Sequence, residues 1–363
     1  MPNAKINVVQ AMFLFVLAVG ITNHVIIVPL ILQASHRDAW ISALFAIPPL
    51  VLWTIVVYFV MKLTRQMSLF QWFKTHYHPI VAWLVVLPLI LLCAATLFVT
   101  IRDTTSWTKV TYLQKTPYPV TVTMFVACGL SAAIAGLRTL TIAAGILLPA
   151  VVAFGLFVMS VNFQFKDYSY LFPAFTNGIG ALWKGTAYTL SGLVEFVLLL
   201  AVQQHLSKKI RLSSLLLLTV AVTGLVFGPL IAAISIFGPY EAADQRYPAF
   251  EQWRMVMIGK FISHLDFLSI YQWISGALIR VSLAFYLMFD LMQMQRKKPR
   301  IQLMLATGLL LVVAVSQYRL SDPIFFRFLS DYYFPGIMVF FYVFPFALLL
   351  LILPKRRASV EAG

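Results

Sequence analysis

Charge is what this sequence has least of. Asp, Glu, Lys and Arg together make up 11% of its 363 residues, whereas the surface of a water-soluble domain needs roughly a quarter. That scarcity excludes soluble, secreted and disordered classes. Cysteine is nearly absent too. Cys93 and Cys128 each lie inside a long apolar run, with no spacing for a disulfide or a metal, so both read as small buried apolar residues. His76 and His78 stand at i and i+2 and share no helix face, which argues against a metal site there. No phosphate loop, nucleotide fingerprint, catalytic triad or zinc spacing is present. The sequence therefore implies no catalytic residues, no metal and no cofactor, and is not that of an enzyme. A net charge of +15 would suggest nucleic acid in a soluble chain; here it must be read through membrane topology instead, and no nucleic acid is implied.

What is there is apolar: 61% of residues are hydrophobic and the mean hydropathy is +0.90. The surrounding medium is a lipid bilayer. A hydrocarbon core of about 30 Å takes about 20 residues of helix to cross. Windows of that kind predict ten spans, over 6–33, 39–62, 79–101, 118–136, 140–161, 181–206, 212–237, 265–292, 301–316 and 334–354. They use up most of the chain, so residues 1–363 read as a single integral membrane domain. Backbone groups cannot stay unpaired in lipid, and the runs show no two-residue alternation, so they are helices and not barrel strands. The first run, from Ile6 to Leu32, is too long for a signal-peptide core and lacks a small-residue cleavage site, so it stays as a span. With the N-terminus inside, 15 of the 27 Lys and Arg fall in inner segments, against Asp290 and Glu361 alone of the acids. The bias is clearest at Lys208, Lys209, Arg211 and at Arg296, Lys297, Lys298, Arg300. Both termini are thus expected to be cytoplasmic.

Ten spans divide as five plus five, so in an inverted repeat span one corresponds to span six and runs opposite to it. Both carry helix-weakening residues at mid-span. Span one holds Gly20, Thr22, Asn23 and His24, with Pro29 beyond; span six holds Gly185, Thr186, Thr189, Ser191 and Gly192, with Glu195 a turn later. Two readings follow. The glycines let neighbouring helices approach closely, or they mark interrupted helices whose free backbone groups hold a small ligand, such as the carboxylate and ammonium of an amino acid. Leu97, Val99 and Thr100 of span three would line the opposite wall.

Glu195 and Arg280 are ionisable residues at mid-depth of spans six and eight. A lone charge there costs at least ~2.5 kcal/mol, so the two are expected to pair or to share a hydrated cavity. The pair either fixes helix packing or takes part in handling a ligand or a proton. Arg102 and Asp103, closing span three, read as an intrahelical or interfacial ion pair, and Leu69, Phe70, Trp72, Phe73 and Tyr77 as a short interfacial helix. The longest polar stretch, Pro239 to Lys260, is either a cap over the site or a surface for a partner.

These residues carry a family likeness. Val28-Pro29 ends span one and Arg37-Asp38-Ala39-Trp40 opens span two; Arg102-Asp103 closes span three and Thr116-Pro117 follows. Gly136-Leu137-Arg138, Leu171-Phe172-Pro173, Gly192 with Glu195, Tyr247-Pro248 and Trp273-Ile274-Ser275-Gly276 complete the set in order. Over essentially its whole length the chain resembles the B subunit of bacterial spore germination receptors, the spore-permease branch of the amino acid–polyamine–organocation superfamily. The resemblance implies a LeuT-like all-α membrane fold of ten helices, a 5+5 inverted repeat with helices one and six broken. It also implies a place in the spore inner membrane, A and C partner subunits, and the sensing of a small germinant, typically an amino acid. Departures are His24, where the family tends to have a small residue, Asp103 where it usually has Glu, and Ser263-His264-Leu265-Asp266 in place of a pattern that usually carries Arg. His24 would either narrow the pocket and touch the ligand or hydrogen-bond a freed carbonyl. The same pocket would also serve a proton-coupled amino acid transporter with Glu195 as proton carrier, and a structural or channel subunit without a ligand remains a third reading.

Overall fold

Every element of the computed structural model follows from the need to close backbone hydrogen bonds inside one segment. Residues 5–259, 263–294, 296–317 and 321–361 are described, with side chains to Lys355; Lys260 and the side chains of Arg356, Arg357 and Glu361 lie outside the described set. Along the chain come α1 (Val8–Ile21), α2 (Val28–Ser35), α3 (Ala39–Phe45), α4 (Ile47–Leu63), α5 (Leu69–His76) and α6 (Pro79–Thr111). There follow α7 (Tyr118–Ala135), α8 (Leu137–Val161), α9 (Gly178–Leu193), α10 (Leu199–Val202), α11 (Leu212–Phe237), α12 (Pro239–Asp244) and α13 (Pro248–Arg254). The last are α14 (Leu268–Leu291), α15 (Lys297–Gln317), α16 (Asp322–Phe328) and α17 (Phe334–Glu361). Serine and threonine inside these rods mostly bond back to a carbonyl of their own helix, as Thr54 does to Leu50, Thr105 to Ile101 and Thr223 to Thr219, which satisfies a hydroxyl without water.

Among the described residues nine helical stretches are long and apolar enough to cross a membrane. The first, Val8–Leu63, has 56 residues; as a straight rod it would reach about 84 Å, nearly three hydrocarbon cores. It turns back instead at His36, whose φ is +43°. Its two ends then lie side by side. The Ile6 N–H donates to the His205 carbonyl (2.9 Å), and the Gln203 side chain donates to the Met67 carbonyl (2.9 Å). The stretch is therefore a hairpin that crosses twice, and the nine stretches supply ten crossings.

The start of α1 is fixed by a capping box in which Asn7 and Gln10 bond each other's backbone N–H (2.8 and 3.0 Å). At the opposite end the Ser35 hydroxyl donates to the Ala181 carbonyl (2.7 Å) and the Asn177 amide to the Ser35 carbonyl (3.0 Å). The buried Asp38 carboxylate accepts from the N–H groups of Phe175 (2.7 Å) and Asn177 (2.9 Å). Since residue 6 meets residue 205 while residue 35 meets residue 177, the first and sixth crossings run antiparallel and in contact. α14 is the central rod, buried along most of its length against α1, α6, α7 and α8.

Outward faces of α7, α8 and α15 carry exposed apolar side chains such as Met124, Ile146 and Leu309, the surface a bilayer would cover. Cys128 belongs to this face and is exposed, so of the two cysteines only Cys93 is packed inside. α6 continues about ten residues past the expected end of span three. It does so because Arg102 and Asp103 are buried and partnered by other elements: Arg102 pairs with Asp322 (2.5 Å) and Asp103 with Arg246 (2.6 Å). They do not form the local pair expected. α5 buries Leu69, Phe70, Trp72 and Phe73 and packs on α6, so its aromatic face meets protein. His76 bonds the Trp72 carbonyl and stacks on the Trp72 ring.

The polar stretch after α11 folds down as a cap. α12 and α13 bury Ala242, Ala243, Phe250 and Trp253. Trp253 donates to Gln272 (2.8 Å), whose own amide donates to the Val151 carbonyl (2.8 Å). Burial, and next the Asp103 carboxylate beside it, push the Tyr247 phenol well above its ordinary value. It remains a neutral donor toward Asp103 (3.4 Å), while the Arg246 guanidinium lies 4.4 Å over its ring.

Gly185 sits where the hairpin meets α9. A Cβ there would fall 2.6 Å from the Ser42 hydroxyl and closer still to that of Ser35, both of which hold carbonyls of α9. Gly185→Ala should therefore lower stability by about 1–3 kcal/mol, read as an earlier melting transition of the detergent-purified protein. An unchanged melting curve would contradict this packing.

Candidate functional site

Both antiparallel crossings change their winding at mid-depth. In the first, α1 gives way to a π-helical turn over Thr22–Ile26, closed by the Ile27 N–H donating to the Thr22 carbonyl (2.9 Å), before α2 starts at Val28-Pro29. In the sixth, α9 tightens into a 3-10 turn over Val194–Leu198 and resumes as α10. Neither glycine expected to mark a break is itself irregular. Gly20 and Gly192 both lie in regular helix, just ahead of the change. Their role is close approach: a Cβ on Gly192 would come within 2.6 Å of the Asn23 side-chain oxygen, and one on Gly20 within 3.2 Å of Leu225. The turns are also wound differently and not opened into extended chain, because the backbone must remain hydrogen-bonded in a dry interior.

On the second turn, facing the end of α1, lies the Glu195–Arg280 pair. The guanidinium donates through both terminal nitrogens, at 2.6 and 2.8 Å, to the two carboxylate oxygens. Both side chains are buried, 2% and 4% exposed. Two further donors are used: Arg280 Nε bonds the Thr100 hydroxyl (2.9 Å), and Nη1 also reaches the Ala18 carbonyl in the last turn of α1 (3.3 Å). The Tyr333 hydroxyl donates to Glu195 (3.2 Å) from a second π-helical turn, Leu329–Tyr333, which joins α16 to α17. Bidentate geometry and a full set of hydrogen bonds are what let two charges persist out of water. Beside the pair is a small void lined by Phe15, Thr96, Leu283 and Ala284 among others, with about 10 Å³ of room, enough for about one water.

The side chains singled out in the sequence divide into two groups. Glu195, Arg280 and Thr100 meet in one cluster and Asn23 and Gly192 in another, where the Asn23 amide donates to the Val19 (2.9 Å) and Gly192 (3.2 Å) carbonyls. Thr189 and Ser191 are buried beside them but bond within α9, to the Gly185 and Tyr188 carbonyls. Leu97 and Val99 are buried core residues of α6. Gly20 and His24 turn toward α11, where the His24 ring meets the Leu225 backbone. Three buried polar atoms at the first turn take no protein hydrogen bond: Thr22 Oγ1, Asn23 Oδ1 and His24 Nδ1. Such atoms are rare in a packed interior and are where a ligand or water would find partners.

Sequence reasoning missed Tyr333, Thr96 and the Ala18 carbonyl. A backbone oxygen and one threonine among many leave no signal. Tyr333, next to Tyr332 and Asp331 at the entry to an apolar run, was the legible one. Above the first turn, Trp107 and Trp273 stack face to face at 4.0 Å with Phe250 of the cap against Trp107, and both indole N–H groups are buried without a partner. At the other end His205 and Gln204 bond Asp290 (2.9 and 2.8 Å), with Arg300 at 3.8 Å. The pair is thus closed over from both ends. Among the described residues no cluster of His, Cys, Asp or Glu has metal-binding geometry.

Residues 5–322 match the family model described as spore germination protein. Over 352 residues the chain is 38% identical to spore germination protein XB of Bacillus anthracis, an alignment covering 96% of this chain and 97% of that one. The chain belongs to this spore germination family, as a membrane protein built of apolar helices.

Removing one partner of a buried, saturated ion pair strands the other charge, at about 3–5 kcal/mol. Glu195→Gln and Arg280→Gln should each destabilise the protein by that order, and the double variant should be more stable than the sum of the two losses predicts. A double-mutant cycle on unfolding in detergent reads this; strictly additive losses would contradict direct pairing.

Proposed function

We propose that the chain is the membrane subunit of a spore germinant receptor, binding a small zwitterion, typically an amino acid, between the two rewound turns. The observation carrying this reading is the conjunction of antiparallel rewound helices, unpartnered polar atoms at Thr22 and Asn23, and an internal ion pair on the second turn against the end of α1. In this reading the chain is a 5+5 inverted repeat of LeuT type, with the first and sixth crossings as its paired broken helices. It sits in the spore inner membrane with both termini cytoplasmic, and A and C subunits receive its signal.

The void beside Glu195 and Arg280 is far too small for an amino acid, so the form described is a closed one. A ligand ammonium has Glu195 to turn to, and a ligand carboxylate has Arg280. To use them it must replace the Glu195–Arg280 bond, which limits binding to molecules that supply both charges. Opening the pair frees α1, α9 and α17 to shift against α14. The signal to the partner subunits is no larger than the ligand's difference in affinity for the open and closed forms.

The same pocket suits a proton-coupled transporter. In the closed form both Glu195 oxygens are engaged by Arg280 and Tyr333, which favours a sensor over a proton shuttle. Spores lacking this protein, tested on an amino-acid panel and complemented with Asn23→Ala, Thr22→Val or His24→Ala, separate the possibilities. The account expects Asn23→Ala or Thr22→Val to move the half-maximal germinant concentration by about tenfold, the effect of roughly 1.4 kcal/mol, at unchanged protein level, and His24→Ala to move it little. Wild-type concentration dependence in the first two variants would contradict the site. Uptake of labelled amino acid by proteoliposomes, dependent on a pH gradient, would assign the transporter role instead.

A further inference from the structure

A second recess lies on the outer face of the bundle, between α9 and the turn that leads into α17. It has a volume of about 320 Å³ and is lined by Lys184, Ala187, Tyr188, Ser330, Asp331 and the exposed face of α17 at Pro335 and Val339. Its rim faces the surface that a bilayer would cover: Trp183, Tyr332 and Val339 are exposed, Tyr332 by 73%. Lys184 stands six residues into α9, about 9 Å along the rod, and Asp331 lies near the level of Tyr188, whose hydroxyl donates to the Ser330 carbonyl (3.0 Å). Counted from Glu195 at mid-span, Lys184 is eleven residues or about 16 Å up the rod, at the edge of a hydrocarbon core about 30 Å thick, with Asp331 about a turn below it.

Both charges of the recess are exposed, and among the described residues the hydrogen bond to Asp331 comes from the Ser330 hydroxyl (2.6 Å). An uncompensated carboxylate turned to lipid at this depth is unfavourable, unlike Glu195, which is saturated inside. The carboxylate therefore needs a cation from outside the fold, and Lys184 can take the anion that comes with it. The walls between them are apolar and open sideways toward the bilayer. A cation, an anion and an apolar tail, entering from the membrane at headgroup depth, describe one class of molecule.

We propose that this recess binds a phospholipid whose headgroup joins a phosphate to a primary ammonium, the phosphate on Lys184, the ammonium on Asp331 and an acyl chain along Pro335 and Val339. The Leu329–Tyr333 turn carries Asp331 on its outer side and Tyr333 on its inner side, where it meets Glu195. The lipid thus sits at the back of the helix that holds the buried ion pair, and the inference stands whether or not the inner site binds a germinant.

Native mass spectrometry of the delipidated, detergent-purified full chain, titrated with phosphatidylethanolamine or phosphatidylglycerol, tests it. Wild type should retain phosphatidylethanolamine about fivefold better than phosphatidylglycerol. Asp331→Asn should erase that preference, and Lys184→Gln should weaken both lipids by about the same factor. Both positions are exposed, so folding should be unaffected, and matching melting curves check it. Equal retention of the two lipids by wild type would overturn the headgroup assignment. Unchanged binding in both variants would overturn the site, as would cross-linking from position 184 in spore membranes that traps another subunit in place of lipid.

Discussion

The Glu195–Arg280 bond is the constraint around which the bundle is arranged. Two opposite charges at the centre of an apolar protein are tolerable only if each charged atom has a partner, and meeting that condition requires several helices at once. α1 contributes the Ala18 carbonyl, α6 the Thr100 hydroxyl, α14 the guanidinium, the turn after α9 the carboxylate, and the turn before α17 the Tyr333 hydroxyl. Apolar packing alone would let these rods slide or rotate at small cost, since lipid is as apolar as their side chains. The pair gives them one register. It also makes the register breakable, because anything that offers the two charges better partners releases five segments together.

Closure at the two ends follows the same logic. On one side the cap is held by Arg246 on Asp103 and α16 by Asp322 on Arg102, over a stack of Trp107 and Trp273. On the other side His205, Gln204 and Arg300 gather on Asp290, next to the pairing of Ile6 with the chain at His205 and Leu206. Each cluster joins elements far apart in sequence by a few charge-assisted bonds. Such contacts have discrete made and unmade states, which is what a two-state switch needs.

Much of the bundle was legible from residue order. Apolar runs of crossing length place the helices, and Glu195 and Arg280, as ionisable residues at mid-span, announce that they need partners. The spans' ends were less legible, since a charged dipeptide such as Arg102-Asp103 looks like the edge of a membrane until Asp322 and Arg246, distant in sequence, are seen to bury it. The glycines misled in a related way. Gly20 and Gly192 do mark the right depth, but as points of close approach to Leu225 and Asn23, while the irregular turns begin after them. A π-helical or 3-10 turn has no sequence signature of its own, because it is set by how neighbouring rods pack. Tyr333 could be noticed as a polar ring at the entry to an apolar run, but its partner Glu195, 138 residues away, could not be.

The central claim is that a ligand charge exchanges with a protein charge at Glu195 and Arg280. An experimental map of the purified protein with an amino acid that triggers germination tests it most directly. The account predicts density for the amino acid beside Asn23 and Gly192, with the carboxylate of Glu195 and the guanidinium of Arg280 moved beyond hydrogen-bonding distance. An amino acid bound elsewhere while that bidentate bond stays intact would contradict it.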